Sequence, residues 1–137
     1  MIDSKAKILL VEDDRVDVMT VQRALSRHRI DNPLFVARTA IDALGMLRGE
    51  GFEKIDPELI LLDLNLPRMN GIEFLQELRG DTGLCDQRVI VLTSSNEPND
   101  RAAAFKYEVE DYIVKPHSFD EFASAINTVL SYALGEG

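Results

Sequence analysis

Five short apolar runs, each closed abruptly by polar or charged residues, constrain this chain more than anything else in it. They occupy 7–11, 34–37, 58–62, 89–92 and 112–114, and read as strands buried on both faces, not as strands with one wet side. The segments between them read as helices. Residues 15–28 are helix-like, and Thr39-Ala40-Ile41-Asp42 opens a second helix with a capping-box-like spacing that fades at Gly49 and Gly51. Ile72, Leu75 and Leu78 or Arg79 mark a third after the turn-rich stretch 66–71, while Pro98 and Asn99 start a fourth near 100–107, the least amphipathic. In the last, Ser118 and Glu121 frame a capping box, Phe119, Phe122, Ala123, Ile126, Leu130 and Ala133 share one stripe, and Gly135 suits the exit. Strand and helix alternating five times call for an α/β protein, a parallel sheet covered on both faces.

At 137 residues there is chain enough for one core and too little for two ordinary domains, so a single domain over 1–137 is expected, its core about 6–134. The apolar runs are far too short to span a bilayer and the start lacks the pattern of a signal peptide, which makes a cytoplasmic protein without membrane partners the expectation. Cys85 is the only cysteine, which excludes an internal disulfide or a thiolate zinc site. With 24 acidic and 15 basic residues the formal charge is −9, which repels a nucleic-acid backbone and argues against direct DNA or RNA binding.

In an open parallel sheet, ligands sit outside the carboxyl ends of the strands. Glu12 and Asp13 follow the first run, Asp63 the third, Thr93 the fourth and Lys115 the fifth, so residues distant in sequence are expected to meet there. The second, ending near Arg38 and Thr39, offers nothing comparable, as suits an edge strand. Carboxylates crowded at buried strand ends need positive charge beside them. Their hard oxygens suit magnesium, with Asp13 and Asp63 as direct ligands, Glu12 acting through water and the Asn65 carbonyl as a further oxygen. A carboxylate beside a metal can attack a phosphoryl group to form an acyl phosphate. Its oxygens would be shared among the metal, the Lys115 ammonium, and the Thr93 hydroxyl with a backbone N–H near Ser94.

Each of these residues also has a plain reading. Asp13 or Asp14 can cap the first helix, Asp63 can be a turn residue ahead of Pro67, Thr93 to Ser95 can cap the next helix, and Lys115 can be a solvated strand end. Four such coincidences at four aligned strand ends are far rarer than any one. Tyr112 is open between a packed aromatic and a ring whose position reports the state of Thr93. His28 and His117 have no partner at metal-ligand spacing and read as surface residues.

Glu12-Asp13, Asp63 within Leu-Leu-Asp-Leu-Asn-Leu-Pro, Asn70-Gly71, Thr93-Ser94 and Lys115-Pro116 together resemble the CheY-like receiver domain of bacterial two-component response regulators, over about 6–134. The resemblance implies a flavodoxin-like (βα)5 fold with strand order 2-1-3-4-5, carried over from the family. It implies that Asp63 takes a phosphoryl group from a sensor histidine kinase or phosphotransfer protein, with magnesium on Asp13, Asp63 and the Asn65 carbonyl. Thr93 and Tyr112 would then move, changing the face of helix four, strand five and helix five for a downstream protein target. The resemblance further implies a cis Lys115–Pro116 peptide and a lifetime for the acyl phosphate tuned by accessory positions such as Asn65 and Ser95. The chain ends just beyond helix five, as in stand-alone receivers, and the loop 48–57 is similar to that of small regulators paired with bacterial phytochromes. A homodimer through the patch of Ala102, Ala103 and Phe105 is a hypothesis on the same basis.

Three rival readings differ at identifiable residues. An aspartate-based magnesium phosphatase of the haloacid dehalogenase type needs a second acid two residues after the nucleophile, and that position is Asn65. A nucleotide-binding flavodoxin-like module needs open N–H groups where Glu12-Asp13-Asp14-Arg15 places acids. The third is a receiver-shaped interaction module that is never phosphorylated. The expectation is a phosphoryl-accepting switch and no enzyme, promoting only its own phosphorylation and dephosphorylation.

Overall fold

The structure, a computed structural model, describes residues 2–135. Its five strands are β1 (Ile8–Val11), β2 (Leu34–Ala37), β3 (Leu59–Leu62), β4 (Val89–Thr93) and β5 (Asp111–Val114), in the order β2-β1-β3-β4-β5. Every pairing is parallel. The helices are α1 (Arg15–Arg27), α2 (Ala40–Arg48), α3 (Gly71–Gly80), α4 (Pro98–Lys106) and α5 (Phe119–Ala133). This is the flavodoxin-like arrangement expected.

Successive strand residues point to opposite faces, and both faces are dry. Ile8, Leu10, Leu61 and Leu92 join Val21, Leu25, Ile126 and Leu130 of α1 and α5. Leu9, Val11, Ile60 and Leu62 join Leu44, Leu47, Phe74 and Leu78 of α2 and α3. That is why the strand sequences show no polar alternation. α4 buries only Ala104 on its own account, in keeping with its weak pattern.

Helix ends follow local chemistry with some departures from expectation. Asp14 caps α1, its carboxylate accepting from the N–H groups of Val16 and Asp17 at 2.8 and 3.2 Å, which leaves Asp13 free of that duty. Thr39 caps α2 by accepting from Asp42 N–H at 3.0 Å, and the helix ends at Gly49 in the left-handed region, φ 72°. The reciprocal capping box sits on α3, where Asn70 accepts from Glu73 N–H at 2.9 Å and Glu73 accepts from Asn70 N–H at 3.1 Å. At α5 only half of the predicted box forms, with Ser118 Oγ accepting from Glu121 N–H at 3.4 Å while the exposed Glu121 side chain is left to water. The Lys115–Pro116 peptide is trans, contrary to the resemblance: there is no cis peptide among the described residues. Trans is the isomer that X–Pro bonds favour intrinsically, by about 0.5–1 kcal/mol.

Register delivers the strand ends to one place. Val11 lies opposite both Ala37 and Leu62, and Leu62 opposite Val91. Asp63 N–H then donates to Val11 O at 3.1 Å, and Lys115 N–H to Thr93 O at 2.8 Å.

Candidate functional site

Beyond the ends of β1 and β3 the carboxylates of Glu12, Asp13 and Asp63 offer oxygens that all lie within 4.8 Å of one another. Glu12 and Asp63 are 2% and 6% exposed, so this is a walled cup and not a solvated acidic patch. From the end of β5, Lys115 reaches across. Its ammonium donates to Glu12 Oε1 at 2.6 Å and to Asp17 Oδ2 at 2.9 Å, and stands 3.8 Å from Asp63 Oδ2. The Lys115 ammonium thus meets Glu12, Asp17 and Asp63, while the separate group of Glu12, Asp13 and Asp63 offers hard oxygens in a number and spacing that suit a divalent cation.

Burial pushes the Glu12 carboxyl up to about 7; Asp63 adds to the rise, and the Lys115 ammonium pulls the other way. Burial alone would lower the Lys115 pKa, but its bonds to Glu12 and Asp17 and the charge of Asp63 outweigh that and raise it. Lys115 is therefore a fixed cation, not a proton donor.

Of the remaining predicted residues, Asn65 bonds Asp63 and reaches Ser94, while Thr93 and Tyr112 are tied to Ser95. Asn65 N–H donates to Asp63 Oδ1 at 3.2 Å, and its amide reaches the hydroxyl of exposed Ser94 at 3.5 Å. Thr93 is fully buried, its Oγ1 accepting from Ser95 N–H at 3.3 Å. Tyr112 resolves as an inward ring, 5% exposed, donating to Ser95 O at 2.9 Å. Ser95 in turn bonds Asp100 of α4 at 2.6 Å, so Thr93, Ser95 and Tyr112 are joined to the first turn of that helix. Arg101 lies over the rings of both Phe105 and Tyr112, at 5.4 and 5.2 Å from their centroids. His28 and His117 are exposed, as expected.

Two participants escaped the sequence reading. In the sequence Asp17 reads as one more polar position of the first helix; its place one turn after Asp13 and Asp14 is the signal that turns it back toward the strand ends. Arg38, just past edge strand β2, donates to Asp13 O at 3.1 Å. The expectation that this strand contributes nothing comparable is corrected: a long cation can reach inward from an edge.

A cup of carboxylates at the ends of β1 and β3, with a lysine following β5 bonded into it and a buried threonine ending β4, defines a class. The family model of the response regulator receiver domain matches residues 8–127, and the chain belongs to that family. It is 35% identical over 129 residues to the response regulator Rcp1 of Synechocystis sp., covering 93% of this chain and 88% of that protein. Among solved structures it resembles a phosphorylated cyanobacterial phytochrome response regulator, RcpA, with a TM-score of 0.88 at 32% identity, covering 95% and 94% of the two chains. The Mn(2+)-bound form of Rcp1 gives a TM-score of 0.87 at 33% identity, covering 96% of each. No helix among the described residues is long and apolar enough to cross a membrane.

Proposed function

We propose that Asp63 is the phosphoacceptor of this receiver domain. One Asp63 carboxylate oxygen attacks the phosphorus of a phosphohistidine on a sensor histidine kinase or phosphotransfer protein. The new O–P bond forms as the P–N bond breaks, and the histidine nitrogen leaves with the electron pair. The observation that carries this reading is the buried Asp63 carboxylate sharing one cup with Glu12 and Asp13 and standing 3.8 Å from the Lys115 ammonium.

Magnesium is the proposed cation, held by Asp13, Asp63 and the Asn65 carbonyl with Glu12 through water. It would neutralise charge on the phosphoryl oxygens as transfer proceeds. Lys115 takes a second share of that charge, and the Thr93 hydroxyl with Ser94 a third. Asn65 and Ser95 tune the lifetime of the product. Asn65 carries an amide where a phosphatase of this chemistry needs an acid, and the proposed domain, one unit across the chain, turns over no other substrate.

Recruitment of Thr93 by the phosphoryl group would disturb its bond to Ser95, and through Ser95 the Tyr112 hydroxyl and Asp100. The face of α4, β5 and α5, with Phe105 41% exposed upon it, is the proposed output surface for a protein target or a second copy of the chain. A bacterial phytochrome kinase is the proposed donor, supported by the likeness to Rcp1 and RcpA.

Incubation with acetyl phosphate, with and without magnesium, tests the reading. Stoichiometric, magnesium-dependent, acid-stable and base-labile labelling of wild type but not of Asp63→Asn is expected. Sustained hydrolysis of a generic phosphoester would favour a phosphatase instead, and no labelling at all would favour a non-phosphorylated interaction module.

A further inference from the structure

We infer that Asp17 is a positioning residue for phosphoryl transfer, acting through Lys115; the inference rests on the reading of Asp63 given above. A lysine ammonium has three N–H donors and no acceptor. Two of the three are committed here at charge-assisted lengths, 2.6 Å to Glu12 and 2.9 Å to Asp17. Two fixed bonds set the rotation of the ammonium about its stem and so set the direction of the third N–H. Asp63 Oδ2 stands 3.8 Å from the ammonium, too far for a hydrogen bond but close enough that an oxygen carried on Asp63 would come within reach of the third N–H.

The two anchors are not equivalent. Glu12 belongs to the group of three carboxylates suited to a cation, so a cation in the cup draws on its oxygens. Asp17 lies outside that group. Its backbone is held by the Asp14 cap at the first turn of α1, and its side chain is 38% exposed against 2% for Glu12. Asp17 is thus the anchor that stays with Lys115 when the cup is loaded, and it ties the reacting end of β5 to the start of α1.

The opposite effect is equally definite physically: a carboxylate beside an anion site repels the anion, and its removal should strengthen binding. The sign of the change therefore decides. Beryllofluoride, a phosphoryl mimic, is titrated at saturating magnesium into wild type, Asp17→Ala and Asp17→Asn, and magnesium is titrated alone in parallel. Asp17→Ala is expected to bind beryllofluoride about tenfold more weakly, the order expected for one lost hydrogen bond to a charged group, with a much smaller change in magnesium affinity. Asp17→Asn keeps an acceptor oxygen at the same place and is expected to recover most of the loss. Beryllofluoride binding by Asp17→Ala at or above wild-type strength, or Asp17→Asn behaving like Asp17→Ala, would overturn the positioning role alone. Wild type that takes up magnesium but no beryllofluoride would overturn both readings.

Discussion

Glu12 is the residue on which the state of the cup turns. Its carboxyl, near 7 in the folded chain against an ordinary 4.5, keeps a proton over a window in which the unfolded chain has released it. In metal-free protein that contribution to stability is therefore fully present below about 4.5 and is lost as pH rises through about 7. Glu12→Gln should flatten this dependence in urea unfolding followed from pH 5 to 8, with the ordinary range of Asp and Glu as reference. An unchanged slope would contradict the assignment. Divalent cations require ionised acids, so their affinity should fall as pH drops below about 7, which calorimetry across the same window can check. At this scale the sequence disclosed residue types at strand ends, and so disclosed Glu12, Asp13, Asp63, Thr93 and Lys115 as a set. It could not disclose who bonds whom. Lys115 reaches Asp17 because α1 starts directly over the end of β1, a relation between elements that no spacing rule contains.

The start of α3 is where an element most directly holds the site. A Cβ on Gly71 would meet Leu64 Cα at 2.7 Å and Asp63 O at 2.8 Å, both backbone, so neither can swing aside. Gly71→Ala should lift the helix from the loop that carries Asp63, destabilise the fold by about 1–3 kcal/mol and slow labelling by acetyl phosphate. Asn70→Ala, which removes one half of the capping box but leaves that contact alone, should lower stability by about 1 kcal/mol with labelling little changed. Denaturant midpoints paired with labelling rates separate the two; equal effects on labelling would contradict the account. Elements were legible wherever both faces are buried, because continuous apolar runs such as 59–62 suit a strand covered on both sides in an α/β chain. Caps were less legible. Ser118-to-Glu121 and Asn70-to-Glu73 look alike on paper and both glutamates are exposed, yet only the Asn70 box closes.

Across the whole molecule, the parallel register of β1, β3, β4 and β5 gathers the cup, and the bonds among Thr93, Ser95, Tyr112 and Asp100 lead away from it to α4. If that chain carries the signal, Tyr112→Ala should leave beryllofluoride affinity close to wild type while abolishing any change in sedimentation that beryllofluoride causes in wild type. A wild type that stays monomeric with and without beryllofluoride would remove the homodimer through Phe105 from the account. The convergence of strand ends was legible in the sequence because five alternations of strand and helix call for a parallel sheet with its ligand edge at the carboxyl ends, whereas the strand order came only with the family resemblance. The inward setting of Tyr112 was not legible, since a strand-end aromatic packs equally well on either side of the sheet edge until Arg101 and Phe105 are placed around it. An acyl phosphate on Asp63 can be trapped chemically. The protein is treated with acetyl phosphate and magnesium, reduced with borohydride to convert any acyl phosphate to an alcohol, and digested for peptide mass spectrometry. The account predicts homoserine at position 63 and at no other aspartate; homoserine at position 13, or an unaltered Asp63 in fully labelled protein, would contradict it.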